Sequence, residues 1–323
     1  MSDEMLTEII PDQYIGQRFD VVLAELWPDY SRSRLQRWVK QGYISLNGRT
    51  PTTREKVFGG ETVVLTLPAL ETVNDSWSAQ PIPLEVVFED EHLIVINKPA
   101  GLVVHPGAGV EMGTLLNGLL HYAPELAAIP RAGIVHRLDK DTTGLLVIAR
   151  SLLAHHALVG QLQNRTMHRE YRAVVTGVMT GGATVNAPIG RHPVHRTKMA
   201  VVRNGKPAIT HYRLEKRFQA HSYIRVQLES GRTHQIRVHM AYQGYPVVGD
   251  SLYAGRLRIP GGCGQRCKEA IRHFSRQALH AYQLELSHPL NQQAMSWQAP
   301  VPDDMQQLLQ ILQDDFLEQG KDA

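Results

Sequence analysis

Apolar residues recur at helical spacing over 19–27, where Phe19, Val22, Leu23, Leu26 and Trp27 share a face and Pro28-Asp29 ends the run. That spacing predicts an amphipathic helix. A second is expected behind Ser31 as its cap, with Leu35, Trp38 and Val39 as its stripe and Gly42 as its stop. The period then shortens. Residues 43–46 and 62–67 read as short strands around the turn pair Asn47-Gly48. Periodicity is lost over 68–83, which holds Pro68, Pro81 and Pro83. A linker is therefore expected at 76–82, between a small domain at 16–75 and a larger one at 83–323.

In the larger domain, strands are expected at 84–88, 93–97, 132–135, 145–149, 169–175, 183–186, 207–215, 222–229 and 280–286. Thr114 can cap a helix bearing Leu115, Leu116, Leu119 and Leu120. Ser151 can cap another running to about Gln163, with Leu152, Leu153, Leu158, Val159 and Leu162 inward. At 233–243 strict alternation competes with a helical period. Thr233 as N-cap, Gly244 at the stop and Pro246 beyond it favour a short helix. The arginine-rich stretch 256–276, with Gly261-Gly262, reads as a flexible basic insertion. Met305, Leu308, Leu309, Leu312 and Phe316 form the stripe of a last helix behind Asp303 or Asp304. Strands broken by a few helices, without regular βαβ alternation, place the chain in the α+β class with a mixed, largely antiparallel sheet.

Composition narrows the setting. No apolar run approaches the roughly 20 residues that span a bilayer, and Met1-Ser2-Asp3-Glu4 lacks the basic-then-apolar plan of a signal peptide. A cytoplasmic protein, monomeric and away from membranes, is expected. The two cysteines, Cys263 and Cys267, provide no disulfide framework, and their spacing lacks a second ligand pair, so no zinc site is expected. His105, His136, His234 and His239 show no H-E-x-x-H or comparable ligand spacing. They read as side chains of a pocket or contact surface, or as satisfied core histidines, and neither metal nor cofactor is expected.

The net charge is only +3, so its distribution matters more. The second helix carries Arg32, Arg34, Arg37 and Lys40 without an acidic residue among them, and Arg49, Arg54 and Lys56 follow. A charge run is usually a solvated face. One sign without i,i+4 partners fits a phosphate-binding face better. Arg18-Phe19-Asp20-Val21-Val22-Leu23, Ser31-Arg32-Ser33-Arg34 and 41–48 together resemble the ribosomal-protein-S4-like RNA-binding domain. That resemblance implies a class of partner, not a reaction.

The densest chemistry lies in His136-Arg137-Leu138-Asp139-Lys140-Asp141-Thr142-Thr143-Gly144, ahead of Leu145–Ala149. Loops on a rigid sheet are suited to hold reactive groups, although a solvated turn would show the same charges. Asp139 can act as a carboxylate nucleophile or base if a nearby cation keeps it ionised; Arg137, Lys140, Arg232 and Arg237 are candidates. Asp141 is the alternative, and could equally cap the turn.

This stretch matches the H-R-L-D-x-x-T-S/T-G-L motif of the RluA-type pseudouridine synthases. Lys98-Pro99-Ala100-Gly101, Arg169-Glu170-Tyr171 and 231–239 are similar to further motifs of that family in order and spacing, and the resemblance covers about residues 16–300. It implies isomerisation of specific uridines to pseudouridine in large-subunit (23S) ribosomal RNA or its assembly intermediate, contributing to ribosome maturation. It also implies Asp139 as the catalytic carboxylate, attacking C1′ or taking a proton from C2′. Tyr171 would stack on uracil and assist loss of the C5 proton, and Arg237 would keep Asp139 ionised and aimed. Ile236 and Val238 would line the base pocket. Arg32, Arg34, Arg37, Lys40, Arg137, Arg232 and His234 would contact RNA. Two rivals are a non-catalytic RNA-binding or assembly protein and a glycosidase-like hydrolase, which ordinarily wants two carboxylates flanking the bond.

Overall fold

Alternating side chains of two consecutive strands leave for two separate cores, so the apolar runs at 93–97 and 145–149 need almost no polar residue. The computed structural model describes residues 5–27, 30, 32–66, 77–107, 109–195, 197–255 and 262–319. Residues 1–4, Pro28-Asp29, Ser31, 67–76, 108, 196, 256–261 and 320–323 lie outside the described residues, as do the side chains of Ser33 and Arg34. The chain divides into two units, 1–75 and 76–323.

The first unit holds β1 (Met5–Ile9), α1 (Phe19–Leu26), α2 (Arg32–Gln41), β2 (Ile44–Leu46) and β3 (Thr62–Thr66), with the strands ordered β1-β3-β2. Phe19, Val22 and Leu23 of α1 pack with Leu35, Trp38 and Val39 of α2 over Ile44, Leu46, Val63 and Leu65. The positive φ of Asn47 and Gly48 closes the turn after β2, and Asn47 Oδ1 accepts the N–H of Thr62 at 2.8 Å. Strand β1 has no clear pattern in the sequence because most of it is exposed.

The second unit begins with β4 (Val86–Glu89), β5 (Leu93–Lys98), α3 (Leu115–Tyr122), β6 (Thr143–Ala149), α4 (Leu152–Gln163) and β7 (His168–Thr176). It continues with β8 (Ala183–Asn186), β9 (Ile189–Arg191), β10 (Met199–Val201), β11 (Ile209–Arg217) and β12 (His221–Leu228). It closes with α5 (Gln235–Tyr242), α6 (Gln265–His273), β13 (Leu279–Ser287), β14 (Ala294–Gln298) and α7 (Asp303–Gln319). Among the described residues the large sheet runs β4-β5-β6-β13-β7-β12-β11-β8, with β14 also on β13. Every pairing in it is antiparallel except β6 with β13. Ile94, Ile96, Leu146 and Ile148 face one core with α3, while Leu93, Val95, Leu145 and Val147 face the other with α4.

Four local expectations fail. Residues 130–133 form a 3-10 turn instead of a strand start, with Arg131 and Ala132 at positive φ. The reason is close approach: a Cβ on Gly133 would lie 2.0 Å from the Ala149 carbonyl oxygen. Leu152 and Leu153 at the start of α4 are exposed, as is Phe316 in α7. Helix α5 is capped by His234 in the left-handed region, not by Thr233. The basic stretch is not a loop throughout, since 265–273 form α6, which buries Cys267 and Ile271. Its arginines sit on the opposite face, which hides the helical period behind the charge.

Gly144 is needed where β6 meets β13. Its φ is +110°, and a Cβ would fall 2.2 Å from the Ala281 carbonyl oxygen. Gly144→Ala should therefore cost on the order of 1–3 kcal/mol from backbone strain alone. A denaturant titration reads this directly, and an unchanged midpoint would refute it.

Candidate active site

The loop between Gly133 and β6 is fixed from below by buried polar groups. Lys98, at the end of β5, is fully buried and donates from Nζ to the carbonyls of Pro99, Leu102 and Lys140 at 2.7, 3.0 and 2.8 Å. Burial pushes its ammonium down to about 7, against the pull of Asp141 and Asp139. Thr142 Oγ accepts from Gln277 Nε2 at 3.0 Å, and Thr143 Oγ lies 2.9 Å from His280 Nδ1. His136 Nε2 accepts the Val147 N–H at 3.2 Å. Burial, with Arg169 nearby, holds this imidazole neutral, its pKa pushed down to about 3. His136 is thus a fastening for β6. Lys140 is exposed and contributes its backbone to the anchor.

On this platform Asp139 meets α5. Arg237 Nη1 donates to Asp139 Oδ2 at 2.8 Å. The other side of the same guanidinium is held bidentately by Asp250, Nε to Oδ2 at 2.7 Å and Nη2 to Oδ1 at 2.9 Å. Asp250 is itself fixed, because its Oδ1 accepts the N–H groups of Leu252 and Tyr253 at 3.0 and 3.1 Å. Hydrogen bonds and attraction from both carboxylates raise Arg237 above its usual value despite burial. A guanidinium anchored on one edge presents the other in a fixed direction.

The opposite oxygen of Asp139 faces His234 Nε2 at 3.8 Å. Tyr253 accepts the Met199 N–H at 2.9 Å, and its hydroxyl is 2.6 Å from His234 Nδ1. With the hydroxyl donating to Nδ1, the imidazole proton sits on Nε2, toward Asp139. Burial lowers the pKa of His234, with Asp139 pulling the other way.

Asp139, Arg137, Tyr171, Arg232, His234, Ile236 and Arg237 all line one cleft of about 1000 Å³. Tyr171 comes from the sheet centre, on β7 between β12 and β13. Burial, with Asp139 adding to it, raises its phenol, so the ring stays neutral and offers an apolar face. Arg137 and Arg232 are exposed at the cleft, and Arg232 Nε holds the Pro207 carbonyl at 3.1 Å. Val238 is a correction: it does not line the cleft but packs on Ile189 and Ala208. Two residues along a helix is about 200° around it, so Ile236 and Val238 leave on opposite sides. His239 is a satisfied core histidine between Thr210 Oγ and the Ala187 carbonyl, at 2.8 and 2.9 Å.

In the first unit, the basic helix is less uniform than its sequence. Arg32 Nη2 binds Asp20 Oδ2 at 2.6 Å, and Arg18 holds the same buried carboxylate from Nε and Nη2 at 3.0 Å. Arg49 pairs with Glu55. Lys40 is exposed, and Arg37 is half-buried.

Sequence reasoning misses Asp250 and Tyr253, and sees Lys98 only as part of a turn. Asp250 follows Gly249 at a turn, where an aspartate needs no further explanation.

A model of the RNA pseudouridylate synthase family matches residues 92–242, which contain the loop, Tyr171 and all of α5. The ribosomal large subunit pseudouridine synthase D of Pseudomonas aeruginosa is 54% identical over 306 residues, covering 95% of each chain. The protein of the same name from Escherichia coli strain K12 is 51% identical over 318 residues, 98% of this chain and 97% of that one. Among solved structures, human RNA pseudouridylate synthase domain containing 4 aligns with 71% of this chain and 93% of its own. Its TM-score is 0.57 and its identity 26%.

Proposed function

Because the chain belongs to the RNA pseudouridylate synthase family, we propose that it converts uridines of large-subunit ribosomal RNA to pseudouridine with Asp139 as the catalytic carboxylate. The observation carrying this reading is the position of Asp139 at the cleft, one oxygen held by an arginine that Asp250 pins from behind.

The chemistry needs three things. The N1–C1′ bond must break, the uracil must turn without leaving, and C5 must join C1′ as its proton departs. Bond cleavage develops positive charge at the sugar, which an ionised carboxylate stabilises or captures. Arg237 aims the Asp139 carboxylate, and the Nε2 of His234 faces its other oxygen at 3.8 Å. The neutral ring of Tyr171 is the platform on which the base turns, and Ile236 closes the pocket beside it. The target base must leave its stack first, at a cost of a few kcal/mol that is least in loops. Arg137 is placed to fill the vacated space or clamp a phosphate, with Arg232 across the cleft.

The partner readings follow the same logic. Lys40 and Arg37 of α2 support an S4-like RNA-binding role for the first unit. Arg32 is engaged by Asp20, which favours a bracing role for it. Removing residues 1–75 should weaken RNA binding more than the chemical step. The slope of log affinity against log salt should flatten by about 0.7–0.9 for each phosphate that the shortened chain no longer neutralises. Fluorescence titrations across a salt series measure this, and an unchanged slope would count against the role.

Incubation of the full chain with large-subunit RNA tests the reaction itself. Pseudouridine should appear at unchanged RNA mass with no release of uracil. Free uracil would indicate a hydrolase, and unmodified RNA a binding protein.

A further inference from the structure

Away from the residues of the cleft, two thiols and a carboxylate converge in the core, and a buried imidazole is electrostatically coupled to that carboxylate. Cys263 lies just ahead of α6, Cys267 is in its first turn, and Asp315 is on α7. All three are buried, and one ligand atom from each lies within 4.8 Å of the others. Ile271, Met305, Leu308 and Leu312 belong to the surrounding apolar cluster. Asp315 is pre-positioned, since its Oδ1 accepts the Gly264 N–H at 2.7 Å.

His221, the first residue of β12, is 1% exposed, and neither ring nitrogen has a hydrogen-bond partner. Buried imidazoles in native proteins are almost always paired, so such a ring calls for an explanation. It feels the charge of Asp315. The side chain of Gln219, two residues before it, reaches the cysteine segment, because a Cβ on Gly262 would lie 3.5 Å from Gln219 Nε2.

We propose that Cys263, Cys267, Asp315 and His221 form a structural zinc site that ties α6 to α7 and to the start of β12. Thiolate and imidazole ligands select zinc among common divalent ions, and four protein ligands without an open position mark a structural site. Burial keeps His221 neutral, its pKa pushed down to about 4, so a lone pair is available for the metal. Burial pushes both thiols up, so each is protonated without metal. Zinc replaces those two protons, forms two Zn–S bonds and releases both protons to solvent. The charged groups facing the thiols are Asp315 and Lys268, and Asp315 faces His221. Zn²⁺ with two thiolates and one carboxylate carries one negative charge. Lys268 and the N-terminus of α6 offset it.

The test uses the full chain, purified reduced and without chelator, with metal content measured by mass spectrometry and Co²⁺ as the optical probe. One zinc per chain is expected. Co²⁺ should give thiolate charge-transfer and tetrahedral ligand-field bands, with affinity falling about a hundredfold per pH unit on acidification. Cys267→Ser should abolish the charge-transfer bands, and His221→Gln should weaken Co²⁺ binding by about tenfold or more, as loss of one ligand requires. Substoichiometric zinc together with no cobalt bands on the unaltered chain would overturn the proposal. So would a two-mass-unit loss identifying a Cys263–Cys267 disulfide in that preparation. If Cys267→Ser does not fold, the cobalt titration of the unaltered chain decides alone.

Discussion

Asp139→Asn should lower pseudouridine formation by about 10⁴-fold or more, the scale on which removal of a catalytic nucleophile is felt, while RNA affinity stays nearly unchanged. Asparagine keeps the shape of the side chain and an oxygen that can accept from Arg237 Nη1. What it lacks is the negative charge that meets the developing charge at C1′. The substitution sits at a partly exposed position, so the fold should tolerate it. Single-turnover product formation, set beside filter binding of the same RNA, separates the two effects. Turnover close to that of the unaltered chain would remove Asp139 from the mechanism.

Arg237→Ala should be costly in a different way. Asp250 has no exposed side-chain surface, and Arg237 supplies its bidentate partner. Removing one member of a buried pair leaves an uncompensated charge, at about 3–5 kcal/mol of stability. Asp139 loses its aim at the same time. Arg237→Lys separates these consequences, because an ammonium retains the charge but cannot bridge two carboxylates with fixed geometry. The lysine variant should keep most of the stability and still lose about 10²-fold in the rate constant, as for a misplacement of about 1 Å. Thermal melts and single-turnover rates measure both. An Arg237→Ala variant as stable as the unaltered chain would show that Asp250 does not depend on this pair.

What is legible in the sequence, and what is hidden, follows from the range of the interactions. The loop 136–144 is readable because its chemistry is contiguous and flanked by an apolar run. The meeting of Asp139 with Arg237, 98 residues later, is inferable only through a family motif. Asp250 has no signal of its own: an aspartate after a glycine already has a reason to be in a turn. Lys98 is hidden for the same reason, beside Pro99. Two local patterns mislead. Val238 enters the pocket only through the family resemblance, and the helical period turns it to the side opposite Ile236. The helix at 265–273 reads as a loop because its charged positions outnumber its buried ones. The cysteine pair shows the limit most clearly. A C-x3-C spacing without a second pair gives no reason to expect metal, and neither Asp315 nor His221 is near it in sequence. Packing of α7 sets Asp315 beside the thiols, and the proposed site adds His221 from the start of β12.

The decisive measurement is a map of pseudouridine along large-subunit ribosomal RNA from cells lacking this protein, complemented with either the unaltered chain or Asp139→Asn. Defined positions should lose pseudouridine with the protein, regain it with the unaltered chain and stay uridine with the variant. Restoration by Asp139→Asn, or an identical map in cells with and without the protein, would refute the assignment.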